Sequence, residues 1–459
     1  MYEIDNKHMT PMTIIRKYLT IPIYDYTRSS PRYQYWKYLE RTQYLSEEII
    51  REIQWSRIKY ILDYAYVNNV YYKKRFDEYG INPKQIKDHR DIDRIPILTK
   101  DEIRKVGISM ISNGYNADRL MKIKTGGSTG TALELYITEK CSEYRNACAM
   151  RHDRWTGWDI GQPIAAVWGN PVRDASFRSK LKHYLLGQYI YLDTMKLNRN
   201  AVLEFVKEWK RVIPTLLFGH AHSLYVLAKY LEELCIEDIR PKSIISTSMM
   251  LLSHERDLIE RVLRAKVFDR YGCEEVSLIA SECDTHDGMH MNIEHLYIEF
   301  IKENSTKAKP GEHGKIVVTD LMNEAMPLIR YRVEDVGIPS SKQCSCGRAL
   351  PLMEDVAGRT ADFLRRRDGT LIAGVSLIEN TLTKMSGIKQ MQIVQKSFDQ
   401  IILNIVMTNE YCSSTENALR KYIKSVFDHN VNVDIIIIDD IPQDISGKYR
   451  FSICEISDN

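Results

Sequence analysis

Lys124-Thr125-Gly126-Gly127-Ser128-Thr129-Gly130-Thr131 puts three glycines and four hydroxyl side chains into eight residues. It directly follows Leu120-Met121-Lys122-Ile123, which reads as a short strand. Glycine lets the backbone approach an anion closely and adopt conformations closed to other residues. Successive N–H groups and hydroxyls can then wrap a phosphate. A polar hairpin turn has the same composition, since Gly and Ser punctuate loops everywhere. The rest of the chain has to separate the two.

The bulk properties narrow the field. With 459 residues the chain has room for two or more domains, and 44% hydrophobic with 27% charged residues is ordinary for a soluble globular protein. Lys plus Arg total 64 against 61 Asp plus Glu, a net charge of +3 that lacks the basic excess of a nucleic-acid binder. Met1-Tyr2-Glu3-Ile4-Asp5 lacks the basic-then-apolar order of a signal peptide, and no apolar run nears the ~20 residues of a membrane span. Nine cysteines without an export signal point to reduced thiols and a cytoplasmic protein.

Three textures follow along the chain. Residues 1 to about 95 read as mainly helical, with Ser46 as a cap ahead of an apolar series at Ile58, Ile61, Leu62, Ala65 and Tyr66. From about 120 to 340, short apolar runs such as Pro163–Trp168, Ile244–Ser248 and Lys266–Tyr271 alternate with helical stretches at 199–212, 221–235 and 253–264. That alternation predicts a parallel sheet with crossover helices, whose ligands sit beyond the carboxyl ends of the strands. Residues 292–338 read as antiparallel strands. The last hundred residues form a small α+β unit joined near Gly358, with strands at 390–395, 400–406 and 433–438 and a helix over 414–428.

The chemistry lies in an ordered set of motifs. After the glycine stretch come Tyr271-Gly272-Cys273-Glu274-Glu275, then Ile329-Arg330-Tyr331-Arg332-Val333-Glu334-Asp335. Gly358-Arg359-Thr360-Ala361-Asp362 and Ile445-Ser446-Gly447-Lys448-Tyr449-Arg450 follow. In this order the chain resembles the adenylate-forming superfamily of acyl-CoA synthetases and ligases, and within it the branch of phenylacetate–CoA ligase and the CapK-like proteins of capsular polysaccharide synthesis. The resemblance extends over nearly the whole chain, including Gln54, Pro96-Ile97-Leu98-Thr99-Lys100 and Gln392-Ile393-Val394-Gln395.

The resemblance implies an α/β fold: a large N-terminal ATP- and acyl-binding domain over 1–357 and a small mobile α+β domain over 358–459. It also implies roles. Ser128, Thr129, Gly130 and Thr131 would hold the ATP phosphates, with Ser248, Tyr271 and Gly272 completing the nucleotide site and Tyr271 against adenine. Asp335 would accept the ribose hydroxyls, Arg359 would contact ribose or phosphate, and Glu275 would help hold Mg²⁺, a hard cation that wants oxygen ligands. Lys448 would bind substrate carboxylate and α-phosphate, where charge builds during attack. The implied reaction is MgATP-dependent activation of a small carboxylic acid as an acyl-adenylate. The acyl group would then pass to CoA, or to an amine or hydroxyl on a sugar. A homodimer is left open as the assembly.

Cysteine placement offers a metal site, with unrelated buried thiols and surface histidines as the alternative. Cys283, Cys344 and Cys346 with a histidine make a Cys₃His set, a normal structural zinc complement, and members of this branch carry one. His290 matches the branch pattern, and His286 lies close enough to compete. Trp168, His220 and His222 fall at strand or loop tips and are candidates to line the acyl pocket. Departures from the family lie at Glu274, where Ser or Thr is common, at Glu334 in place of glycine, and at Ala361 in place of an acidic hinge residue. Ala132 replaces a common proline, and Leu133 a common lysine. They keep a second possibility in view: a nucleotide-binding member without turnover. A third is a polysaccharide-assembly partner at a membrane surface, using the aromatic and basic residues between 26 and 75.

Overall fold

The computed structural model describes residues 10–125, 133–169, 176–302, 304–357, 363–368, 370–382, 385–441 and 450–456. Ser128, Thr129, Gly130, Thr131, Arg359, Ala361 and Lys448 lie outside them, and of Glu334 only the backbone is described.

The glycine stretch has its flanks in place. Strand β1 (Met121–Thr125) pairs antiparallel with β2 (Leu133–Ile137), and Thr125 opposite Leu133 is the last pair before the stretch. The hairpin and the cradle are therefore compatible. Leu133 is buried in β2, so its position packs into the core instead of supplying a cation.

The main sheet has eleven strands and two halves. The parallel half contains β3 (Ile164–Trp168), β4 (Tyr189–Asp193), β5 (Leu216–His220), β6 (Ser243–Thr247) and β7 (Val267–Cys273). The antiparallel half contains β8 (Ser277–Glu282), β9 (Met289–Met291), β10 (Leu296–Ile301), β11 (Gly314–Asp320), β12 (Tyr331–Pro339) and β13 (Leu352–Ala357). Spatial order is β10-β11-β12-β13-β9-β8-β7-β6-β5-β3-β4, so β7 stands at the change from parallel to antiparallel pairing. Helices Arg199–Val212, Ala221–Glu233 and Ser253–Leu263 lie where the period of apolar residues put them. Val202, Phe205, Val206 and Trp209 are the buried stripe of the first.

The helices between Glu47 and Val106 cover the antiparallel half, while Trp36 and Leu39 of the helix before them pack with residues of the parallel strands. Ser46 caps Glu47–Asn68 by accepting from the Ile49 N–H, and Gln54 of that helix donates to the Leu296 carbonyl at 2.8 Å. Tyr72, fully buried, donates to the Pro327 carbonyl at 2.8 Å.

The C-terminal unit carries a β14 (Phe363–Arg365) and β15 (Leu371–Ala373) hairpin, and a sheet of β16 (Ile388–Ser397), β17 (Gln400–Met407), β18 (Asn432–Ile437) and β19 (Ser452–Cys454). Helix Ser413–Val426 turns Leu419, Ile423 and Val426 onto it. The hairpin, helix Gly374–Leu382 and β19 are elements the sequence pattern did not single out. Asn198 donates to Thr370 at 3.0 Å, linking this unit to the parallel half.

Candidate active site and candidate metal centre

The Tyr-Gly motif forms the carboxyl end of β7. Gly272 is needed there because β8 comes so close: an added Cβ would lie 2.6 Å from the Ser277 carbonyl oxygen and 3.1 Å from Leu278 Cα. The β7–β8 register slips between Tyr271 and Gly272 at the same point. Ser248 sits one residue beyond the Thr247–Arg270 pair, so it neighbours Tyr271, and its φ of 65° turns the chain out of β6.

Tyr271 and Asp335 meet. The Tyr271 hydroxyl donates to Asp335 Oδ2 at 2.9 Å, tying the end of β7 to β12 across sixty-four positions. Both residues are half-buried, so a planar aromatic ring and a carboxylate stand side by side at a partly open edge. That pairing suits a nucleoside, with a ring to stack on a base and an acceptor for vicinal hydroxyls.

Glu275 lies deeper. Tyr331 donates to its Oε1 at 2.9 Å, Lys100 Nζ stands 3.4 Å from the same oxygen, and Arg145 donates to its main-chain carbonyl at 2.7 Å. Burial would raise this carboxyl, but the Lys100 charge, a backbone N–H and the Tyr331 hydroxyl outweigh it and hold the group below its ordinary value. Glu275 is therefore an anion with a cation beside it. Glu274 is exposed as a residue, but burial around its carboxyl and the neighbouring Glu275 charge hold that group above its ordinary value.

Lys100, Tyr331 and Arg145 were not singled out as site residues from the sequence. Lys100 reaches Glu275 because Leu98 bridges to Tyr331, with Leu98 N–H donating to Arg330 O at 2.9 Å and Arg332 N–H to Leu98 O at 3.0 Å. A signal was present: Lys100 opens a helix capped by Thr99, where the helix dipole disfavours a cation. A lysine buried there implies a carboxylate partner. Arg145 also pairs with Asp320 at 2.7 Å, and His295 flanks the same carboxylate at 3.3 Å. Cys141 completes a buried Cys–His–Asp cluster, in which the Arg145 guanidinium offsets the Asp320 charge.

At the ends of β3 and β5 the Trp168 and His220 rings lie 3.9 Å apart between centroids. His220 is fully buried with neither ring nitrogen hydrogen-bonded, and burial pushes its imidazole down to about 3. His222 is engaged differently: its Nδ1 lies 2.5 Å from Glu255, whose other oxygen accepts from the Leu252 N–H. Its geometry is that of a helix-start brace.

The proposed metal ligands converge. The donor atoms of Cys283, His290, Cys344 and Cys346 all lie within 4.8 Å of one another. Cys283 Sγ is 3.5 Å from Cys344 Sγ, and Cys346 Sγ is 3.3 Å from His290 Nε2. A tetrahedral zinc with bonds of about 2.0–2.3 Å sets its donors roughly 3.5–3.8 Å apart, so the set fits with small adjustment. His290 Nδ1 lies 2.8 Å from the Leu350 carbonyl; donating there fixes the tautomer that leaves Nε2 free to ligate. His286 falls away from the set, with its ring 3.2 Å from Glu282 and against Phe268. The β9–β13 register makes this choice, pairing His290 with Leu352 beside the cysteine loop.

The chain is similar to known proteins along most of its length. Residues 364–455 match the family model described as the CapK C-terminal domain. The chain is 23% identical to Protein CapK of Staphylococcus aureus over 430 residues, spanning 90% of this chain and 93% of that one. It is 24% identical to phenylacetate-coenzyme A ligase of Escherichia coli K12 over 436 residues, spanning 88% and 95%. Among solved structures, 2-hydroxyisobutyryl-CoA ligase in complex with 2-HIB-AMP and CoA, in its thioesterification state, aligns at a TM-score of 0.61. That alignment has 19% identity and spans 90% of this chain and 92% of the other.

Proposed function

We propose that the chain is an adenylate-forming ligase of the branch of CapK and phenylacetate–CoA ligase, one that activates a small carboxylic acid with MgATP and hands the acyl group to an acceptor; its similarity to both relatives over about nine-tenths of its length supports this. The observation that carries this is the Tyr271–Asp335 hydrogen bond at the end of β7, with Glu275 held as an anion beside it. Tyr271 stacks on adenine, Asp335 accepts from the ribose hydroxyls, and Gly272 gives the nucleotide room. Glu275 is the carboxylate assigned to hold Mg²⁺, whose charge would offset that of the phosphates.

In the first step a substrate carboxylate oxygen attacks the α-phosphorus and the bond to pyrophosphate breaks. Lys448, from the small domain over 358–459, stabilises the charge that builds there, while Arg359 and residues 128–131 hold ribose and phosphates. In the second step a nucleophile attacks the acyl carbon and AMP leaves. CoA is the acceptor favoured by the phenylacetate–CoA ligase relatives; an amine or hydroxyl of a surface-polysaccharide intermediate is the acceptor suggested by CapK. Use of ATP and CoA would suit a cytoplasmic enzyme. Zinc on Cys283, His290, Cys344 and Cys346 is structural, since four protein ligands leave no open position. It would fix the far end of β8, whose near end follows Glu275.

The test is AMP formation across a panel of carboxylic acids, with and without CoA. CoA-dependent acyl transfer with at least one acid supports the ligase. Hydroxylamine-trappable adenylate with no CoA-dependent product would move the acceptor to another nucleophile. ATP binding with no acid-dependent AMP would leave a nucleotide-binding protein without turnover.

A further inference from the structure

The N-terminal helical run is inside out. Residues 11–27 are continuously helical, with a π turn at Arg16–Thr20, and their polar side chains face the protein. Arg16 is buried, donating to the Tyr184 carbonyl at 2.9 and 3.0 Å and to the Gly161 carbonyl at 3.2 Å. Lys17 is buried against Asp159 at 2.5 Å, and Asp25 against Arg32 at 2.6 Å. The outward face carries Ile14, Ile15, Tyr18, Leu19 and Ile23, each between 43% and 62% exposed, and Tyr26 at 86%. A solvated helix of a globular protein has the opposite pattern.

The neighbouring helix extends the patch. Thr20 donates to the Leu185 carbonyl, docking the run onto Phe177–Leu186, where Leu181 and Tyr184 are 46% and 55% exposed. The charge around it has one sign. Residues 10–37 contain five Lys and Arg, of which Arg16 and Lys17 are buried, and a single acid, the buried and paired Asp25; residues 176–192 contain three Lys and Arg and no acid. Arg28, Lys37 and Lys182 are exposed at its rim. Apolar side chains with tyrosines, rimmed by cations and, among the described residues of these two segments, free of exposed acids, complement an anionic lipid surface. The single-sign rim disfavours a second copy of the same face, which would set cation against cation.

We propose that this face, with Ile15, Tyr18, Leu19 and Leu181 at its centre, seats the protein on a bilayer rich in anionic phospholipid. The helical run lies in the headgroup plane without crossing, and among the described residues no helix is long and apolar enough to span. The buried clamp of Arg16, Lys17 and Thr20 holds the apolar side chains outward, so the face is present before lipid is met. This is independent of the reaction catalysed.

Co-sedimentation of the full chain with phosphatidylcholine vesicles, with and without phosphatidylglycerol, tests it. Binding is expected only with phosphatidylglycerol and should weaken with salt. Ile15→Glu with Leu19→Glu should reduce partitioning about tenfold or more, because both apolar insertion and surface charge are reversed. Leu181→Glu, on the other helix, should act in the same direction and decides the matter if the double variant folds poorly. No binding of the wild type to anionic vesicles, or binding unchanged in Leu181→Glu, overturns the proposal. So does a dimer in solution that these substitutions abolish, since a second copy would then be the occupant.

Discussion

Lys100→Met removes the cation beside Glu275 while keeping most of the side-chain volume. Both partners are about 5% exposed and 3.4 Å apart, so the carboxylate left behind is a buried charge without its side-chain ion-pair partner, held by the Tyr331 hydroxyl and with Arg145 on its main-chain carbonyl. Breaking a buried pair from one side costs about 3–5 kcal/mol, and the Tyr331 hydroxyl places this case near the lower end. The pH dependence should reverse. In the wild type the Glu275 carboxyl is depressed, so its contribution is present above the unfolded value of about 4.3 and is lost as pH falls through the folded value. In Lys100→Met the folded value rises above 4.3, and the deficit grows as pH increases through that window towards neutrality. Urea unfolding followed by tryptophan fluorescence reads the right region, because all six tryptophans precede residue 210. The double variant Lys100→Met with Glu275→Gln should recover most of the loss. A single-variant loss below about 1 kcal/mol at neutral pH, the range of solvent-exposed pairs, would refute the reasoning.

Purified protein should contain one equivalent of zinc by elemental analysis, and Cys346→Ser should abolish it while His286→Ala retains it. Asp335→Ala removes the Tyr271 partner and the ribose acceptor, a charged hydrogen bond of about 1.5–3 kcal/mol, so kcat/KM for ATP should fall about 10- to 150-fold. His220 should stay neutral through mildly acid pH in an NMR titration. Its folded value of about 3 lies below the unfolded value near 6.5, so the protein should lose stability as pH falls between them, and less so in His220→Phe.

Local chemistry was legible in the sequence and long-range chemistry was not. Ser46 capped the predicted helix, and the apolar periods at 199–212 and 253–264 matched helices because one face of each had to be buried. The β14–β15 hairpin and β19 escaped because three-residue strands have too few positions to display a period. The Lys100–Glu275 pair joins residues 175 positions apart through the Leu98–Tyr331 bridge, a contact that no local pattern encodes. Cys-x-Cys marked the candidate metal site, whereas which histidine lies with the three thiols, His290 and not His286, needed the register of β9 on β13. The glycine stretch reads in the sequence as a turn or a cradle; its flanks are paired strands, and residues 126–132 between them lie outside the described residues.

Carboxylate-dependent exchange of labelled pyrophosphate into ATP tests the central claim most directly, because it reports formation of the adenylate whatever the acceptor. The account predicts exchange with at least one acid in a broad panel, lost in Lys448→Ala and strongly reduced in Asp335→Ala. No exchange with any acid despite tight ATP binding, or exchange untouched in Lys448→Ala, would contradict it.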